Sequence, residues 1–273
     1  MSTKLKLGLN HCSNSEYHAD TEYVSSSGLK LALKSLSDFH AKYNLGRSEE
    51  HKMNQNALDE GSLAHTLILE PHMLDVEYAF YFGVKRGEKY DRFVETEARG
   101  RLVMSTAQRD RVIEWVNAYK ALPVAVDLFN GGESEVTICA ELEGVKVKVR
   151  LDRANAERGI IADVKTTGYS GDVEVFKQTM EGLEYDLSAA LYLMVAEAYY
   201  GKPFDFYFCV LSKADKTCDI YKTSKATRLK GETKVRKALK MIKEARESGN
   251  WTDDEDYEAV PKLALQEYVI KEV

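Results

Sequence analysis

The chain has little proline, few cysteines and no long apolar run, and each shortage closes off a class of protein. Four prolines in 273 residues, with no Pro/Gly/Ser-rich stretch, leave no linker, so one domain over residues 1–273 is expected. With 44% hydrophobic residues, the chain can bury a sizeable core rather than stay disordered. Its four cysteines, Cys12, Cys139, Cys209 and Cys218, form no CxxC pair, so no zinc or iron–sulfur spacing exists and reduced thiols are expected. The first twenty residues, MSTKLKLGLNHCSNSEYHAD, lack the apolar core of a signal peptide. The longest apolar run, around residues 189–196, is too short to cross a bilayer. A soluble cytoplasmic protein without membrane contact is the expectation.

Positive charge is also short. Lys and Arg number 38 against 44 Asp and Glu, a net charge of -6, whereas nucleic-acid binders usually carry a basic footprint. The deficit is uneven, because residues 213–246 hold 12 Lys/Arg and 4 Asp/Glu, which leaves -14 for the rest. That asymmetry allows a basic groove on an acidic body, with Lys234, Lys237 and Lys240 as candidate phosphate contacts. A solvated helix face is the plainer alternative.

What the chain does contain is a sequence of clear periods. Residues 25–43 read as a capped helix, and ALDEGSLAHTLILEP as a second that ends before Pro71. From Phe82 to Arg101 the pattern is polar, glycine-punctuated and irregular, as in a mobile segment. Helical period returns over 106–121. EVTICAELEGVKVKVRLD then alternates on both sides of Glu143-Gly144, which predicts a hairpin with a two-residue turn. IIADVKTT is a third strand, and 172–200 is helical with a break near Gly182. PFDFYFCVLS and CDIYKTS are strands, and 226–247 is a basic helix. Helices followed by a strand meander, then helix and strand, describe an α/β or α+β architecture. The helical part is expected over about 25–121 and the sheet with its helices over about 133–247.

The hairpin register can be tested on paper. With Leu142 opposite Val145, Ala140 faces Val147, Ile138 faces Val149 and Val136 faces Leu151, all apolar. The same register sets Glu135 opposite Asp152, two carboxylates with Cβ atoms about 5 Å apart, which repel unless a proton or cation lies between them. On the third strand Asp163 and Lys165 share one face and Val164 points away. Asp152, Asp163, Glu135 and the Val164 carbonyl are hard oxygen donors that suit Mg²⁺ or Mn²⁺. Lys165 would sit beside the attacking water, orienting it or easing its deprotonation, and would stabilise charge on phosphorane oxygens. A bare DxK also occurs by chance on solvated strands. The upstream Asp152 closing a basic strand, with a helix behind, favours a site.

IIADVKTT, the preceding VKVRLD, the later YDLSAALY, and GSLAH followed by LILEP resemble motifs of the RecE-type exonucleases of prophage recombination, within the RecB-like PD-(D/E)xK nucleases. The likeness runs from about residue 25 to 200. It implies a restriction-endonuclease-like fold, a mixed central sheet flanked by helices. Carried over by position, it makes His65, Asp152, Asp163 and Lys165 catalytic, with His65 near the metal. His65 lies four residues after Gly61, on one helix face, where glycine permits close approach to the sheet. Tyr185, Ser188 and Tyr192 share a face of the later helix and are candidate DNA contacts, with core packing as the alternative for the tyrosines. The family usually has Gln where this chain has Ser188, a shorter side chain without an amide.

The resemblance implies a Mg²⁺-dependent exonuclease acting 5′ to 3′ on double-stranded DNA. It would leave 3′ tails for a single-strand annealing protein and work as a ring-shaped homo-oligomer. Two alternatives stand: a RecB-like nuclease preferring single strands, and a DNA- or partner-binding module that keeps the fold without the chemistry. The scattered cysteines argue against the cysteine-clustered CRISPR-associated relatives of the first, and the intact Asp, Asp and Lys against the second.

Overall fold

The computed structural model describes residues 4–47 and 55–253. A short strand β1 (Gly8–Asn10) and helix α1 (Asn14–Ala19) precede α2 (Ser26–Lys34) and α3 (Leu36–Tyr43). The single helix expected over 25–43 is thus broken at Ser35, whose extended backbone (φ -160°, ψ 116°) ends α2 while its side chain accepts the Asp38 N–H of α3. A serine that can cap competes with the helical hydrogen bond. Asp253 secures the break by accepting the Leu36 N–H at 2.5 Å and the Ser35 and Ser37 hydroxyls at 3.0 Å.

Helix α4 (Gln55–Leu69) stops before Pro71, as its pattern requires, and a single 3₁₀ turn leads to α5 (Leu74–Glu77) and β2 (Tyr78–Tyr81). Residues 82–101, expected to be irregular, instead contain α6 (Glu88–Phe93) and a wide helical turn at Val94–Ala98 before β3 (Leu102–Ser105). β2 and β3 pair in parallel from Tyr78↔Leu102 to Tyr81↔Ser105. Arg101 ties this excursion together, donating to the carbonyls of Ala98, Asp75 and Tyr78 at 2.9, 3.0 and 3.3 Å. No periodicity announces such a tie.

The remaining elements are α7 (Thr106–Ala121), α8 (Pro123–Leu128), β4 (Glu133–Leu142), β5 (Val145–Asn155), β6 (Ile160–Thr167), α9 (Val173–Gly182), α10 (Tyr185–Tyr200), β7 (Asp205–Ser212), β8 (Thr217–Lys222) and α11 (Lys225–Ser248). Six strands form a sheet in the order β1-β4-β5-β6-β7-β8. β6 and β7 are parallel, joined by the crossover through α9 and α10, and the other pairs are antiparallel. The expected mixed α/β sheet with flanking helices is therefore the architecture. Glu143 and Gly144 both have positive φ (52° and 83°), as a two-residue primed turn demands. The register runs Leu142↔Val145 to Val136↔Leu151 and resumes at Ser134↔Arg153, as the alternation predicts.

Each face of the sheet is covered. One buries Val149, Leu151, Phe206 and Phe208 under Leu29 of α2, Leu191 of α10 and Leu239 of α11. The other buries Val164, Cys209 and Leu211 under Leu63 of α4 and Trp115 of α7. α10 is apolar on most sides because it lies between the sheet and α11. Close contact there depends on Gly231, where a Cβ would fall 2.1 Å from the Asp186 carbonyl oxygen. All four cysteines are free. No described helix is long and apolar enough to cross a membrane.

Candidate active site

The site begins where two strands part. β5 and β6 pair at Arg153↔Ala162, Ala154↔Ile161 and Asn155↔Ile160, and the ladder stops there, one residue short of Asp152 and Asp163. Parted strands leave backbone donors that must find other partners. Asp152 supplies one, its Oδ2 accepting the Val164 N–H at 2.7 Å. Val164, whose carbonyl is an expected metal ligand, has its backbone at the site: its N–H goes to Asp152 and its backbone also hydrogen-bonds His65. Its side chain is in the core with Leu63 and Trp115, while Asp163 and Lys165 alternate to the other face and pair with each other.

His65 comes from α4. A Cβ at Gly61 would meet Thr166 Oγ1 of β6 at 3.3 Å, so the glycine does allow the close approach argued for it. His65 Nδ1 lies 3.4 Å from Asp152 Oδ2. Glu135 holds the position opposite Asp152, but with φ 55° it leaves the ladder that continues on either side of it. A non-glycine residue in the left-handed region is strained and is often found at functional sites. Its carboxylate is ion-paired with Arg150, so one cation already moderates the carboxylate repulsion. His65, Glu135 and Asp152 present ligand atoms that all lie within 4.8 Å of one another. Asp163 stands outside that trio, its Oδ2 facing the Lys165 amine.

The charge states decide whether these donors suit a cation. Burial, then the Asp163 charge, pushes the Asp152 carboxyl well above the ordinary carboxylate range. The buried Asp163 Oδ2 has its charge answered by the Lys165 amine. Burial, then the Lys165 charge, holds the His65 imidazole below its usual value, so the ring is neutral near pH 7 and free to ligate. Burial also opposes charge on Lys165, but Asp163 and Asp152 outweigh it and raise its pKa, so the amine is a firm cation. The Asp152 carboxyl disfavoured in its charged form, the Glu135 and Asp163 carboxylates beside it and a neutral imidazole are a donor set that fits a hard divalent ion.

The candidate DNA contacts separate into two groups. Tyr185 lies against the site, with the Lys165 amine 5.2 Å from its ring centroid, and Tyr192 lines the pocket beside His65 and Asp152. Ser188 is half-buried on the same helix, its N–H on the Glu184 carbonyl at 3.4 Å. Lys234 is bound into the molecule, 3.0 Å from buried Asp186 and 3.5 Å from Glu184. Lys237 and Lys240 line a separate hollow with Glu143, Arg236 and Lys243 at the tip of the β4–β5 hairpin. That tip is eight residues along β5 from Asp152, roughly 25 Å at strand rise. The structure therefore places Lys237 and Lys240 at the hairpin tip, away from Asp152, and holds Lys234 in ion pairs beside Tyr185.

Two cations at the site were not anticipated. Arg150 lies two residues before Asp152 on β5, so strand alternation puts both side chains on one face. Lys30 of α2 donates to the Leu183 carbonyl at 2.7 Å and lies 5.5 Å from the centroid of the Tyr185 ring, which Lys165 also approaches. Burial, then repulsion from Lys165, lowers its pKa to about 8. Nothing local marks Lys30 among the helix's polar residues.

A family model described as "PDDEXK-like domain of unknown function (DUF3799)" matches residues 25–259. No curated protein matches the sequence. Among solved structures, a provisionally named exonuclease from Eubacterium rectale superposes with a TM-score of 0.62 at 18% identity, over 86% of this chain and 88% of that one. A phage-related exonuclease from Haemophilus somnus superposes with a TM-score of 0.34 at 14% identity, over 84% and 96% of the two chains. At such identities the first likeness speaks for the fold, and the second adds nothing to it.

Proposed function

Since the chain belongs to the PDDEXK-like domain family DUF3799, we propose that it is a divalent-metal-dependent deoxyribonuclease that removes nucleotides from DNA ends. The observation that carries this reading is the convergence of His65, Glu135, Asp152, Asp163 and Lys165 at the fork between β5 and β6. His65, Glu135 and Asp152 would hold Mg²⁺ or Mn²⁺, with Asp163 completing the acidic set. When bound, the ion supplies Lewis acidity toward the scissile phosphate and a more acidic attacking water.

The protein's own groups do the rest. Lys165, kept protonated by Asp163 and Asp152, is a poor base and a good donor. It orients the water for in-line attack and offsets charge developing on the non-bridging oxygens. Asp163 fixes that amine, and the Tyr185 ring supports it from the other side. His65, tied to the Val164 backbone, sets its Nδ1 3.4 Å from Asp152 Oδ2, so that the two would face the same ion.

In its finer form the proposal follows the motif resemblance: 5′-to-3′ digestion of double-stranded DNA in the cytoplasm, 3′ tails passed to a single-strand annealing protein, and a ring-shaped homo-oligomer. Backbone contacts carry no base information, so cutting is independent of sequence. End-labelled duplex and single strands, incubated with Mg²⁺ or EDTA, test all but the assembly. Shortening of duplex from 5′ ends in Mg²⁺ alone is the expected result. Preference for single strands would favour the RecB-like alternative, and no cleavage at all would favour the binding module.

A further inference from the structure

The family match begins at residue 25, yet the chain before it adds β1 to the edge of the sheet and packs α1 beside it. β1 pairs with β4 from Gly8↔Cys139 to Asn10↔Thr137. Behind it, Ser13 and Glu16 close a capping box on α1, and Leu5, Tyr17 and Tyr23 are buried. The buried Lys148 amine of β5 donates to the carbonyls of Tyr17 and Asp20. Arg150 joins this strap to the site, because the guanidinium that pairs with Glu135 also donates to the Cys12 carbonyl at 3.1 Å. The strap is therefore fixed relative to the carboxylates by backbone pairing, burial and charge.

Its position gives it access to substrate. A cavity of about 500 Å³ opens over His65, Glu135 and Asp152, and Asn14, Tyr17 and His18 form part of its wall. That volume is within the range of clefts that bind small ligands, roughly 300–1,000 Å³. It has room for a strand end and not for a duplex. Tyr17 is buried, whereas Asn14 and His18 are exposed to the cavity mouth.

We propose that Asn14 and His18 hold the nucleobase of the terminal nucleotide, a contact that rests on the nuclease reading above. Both side chains are uncharged when they do so. Partial burial, then the charges of Lys148, Arg150 and Lys42, keeps the His18 imidazole below its ordinary range, and therefore neutral near pH 7. An amide and a neutral ring are poor phosphate ligands and good partners for a base, the amide on its edge and the ring on its face. Stacking of this kind tolerates every base, so it adds grip without sequence preference.

The test uses the full chain, fluorescence anisotropy in EDTA, and two labelled duplexes, one intact and one abasic at its terminal nucleotide. Wild type is expected to bind the intact end about fivefold more tightly or better, the scale of one base stacked on a ring. His18→Ala and Asn14→Ala should each erode that preference with an unchanged melting temperature and an unchanged slope of affinity against salt. Variants that keep the wild-type preference overturn the inference. So does a slope that falls by about 0.9 per variant, which marks a phosphate contact. A wild-type chain that cuts no DNA in Mg²⁺ sinks the nuclease reading and this inference together. One that cuts while the variants stay wild-type in binding sinks this inference alone.

Discussion

Lys165 carries the clearest prediction at the scale of single residues. Lys165→Ala should lower the rate of hydrolysis by about 100-fold or more, the usual cost of losing a preorganised donor, while anisotropy in EDTA shows DNA affinity little changed. A variant cutting at near wild-type rate would remove the amine from the mechanism. Asp152 gives a prediction about stability. Folding raises its pKa, chiefly through burial, so its contribution is fully present below the unfolded carboxylate range near 4 and is lost as pH rises through the higher folded value. Asp152→Asn keeps an acceptor for the Val164 N–H and loses the charge. In EDTA at pH 8 it should melt roughly 2–4 °C above wild type, with the gap closing toward pH 4 and on adding Mg²⁺ to wild type. Equal melting curves at pH 8 would mean that the charge is compensated by other means. Glu135→Gln should raise the Mg²⁺ needed for half-maximal cutting and do less harm than Asp152→Asn; an unaltered Mg²⁺ requirement would detach Glu135 from the ion. At this scale the sequence was informative wherever strand alternation applied, as for Asp163, Val164 and Lys165. It was silent on the Val164 N–H, whose partner depends on a strand that turns away.

Elements were legible in proportion to their period. The β4–β5 register followed from residue alternation alone because a one-residue slip would have exposed every buried valine. The helices of α4, α7 and α11 followed from apolar spacing. β1 and α1 are too short to show any period, and β2–β3 is a parallel pair whose partner lies twenty residues off behind an arginine tie. Ser35 could have been read as a cap, but the same residue is tolerated inside a helix, and the Asp253 carboxylate that decides between the two comes from the far end of the described chain. Helix packing supplies its own prediction. Gly231→Ala would drive a methyl group into the Asp186 carbonyl, forcing α10 and α11 apart at a cost of about 1–3 kcal/mol. Because α10 carries Tyr185 and Tyr192, denaturant midpoints should fall and activity should fall with them. An unchanged midpoint would show that the two helices yield freely.

On the scale of the whole molecule, the charge asymmetry read from composition is real but differently placed. The basic helix packs its apolar side on the core and spends much of its charge on Asp186, Glu184, Glu143 and Glu197. Charge reversal at Lys237 or Lys240 should therefore leave the salt slope of DNA binding unchanged unless a long duplex reaches the hairpin tip; a slope flattened by about one would show that it does. Reversal at Lys234 should instead destabilise the fold, since it strands a buried carboxylate.

The fork between β5 and β6 has a mechanical side. β1, β4 and β5 form one half of the sheet and β6, β7 and β8 the other, and the seam between them is a ladder of only the pairs from Arg153↔Ala162 to Asn155↔Ile160. The halves are joined at one end and open at the other, like a pair of tongs. Asp152 is on one arm, Asp163 and Lys165 are on the other, and all three sit just past the joint. The arms are nevertheless clamped, because Val149 and Leu151 of one and Phe206 and Phe208 of the other are buried in a single cluster under the same helices, and this shared core keeps the three groups in register.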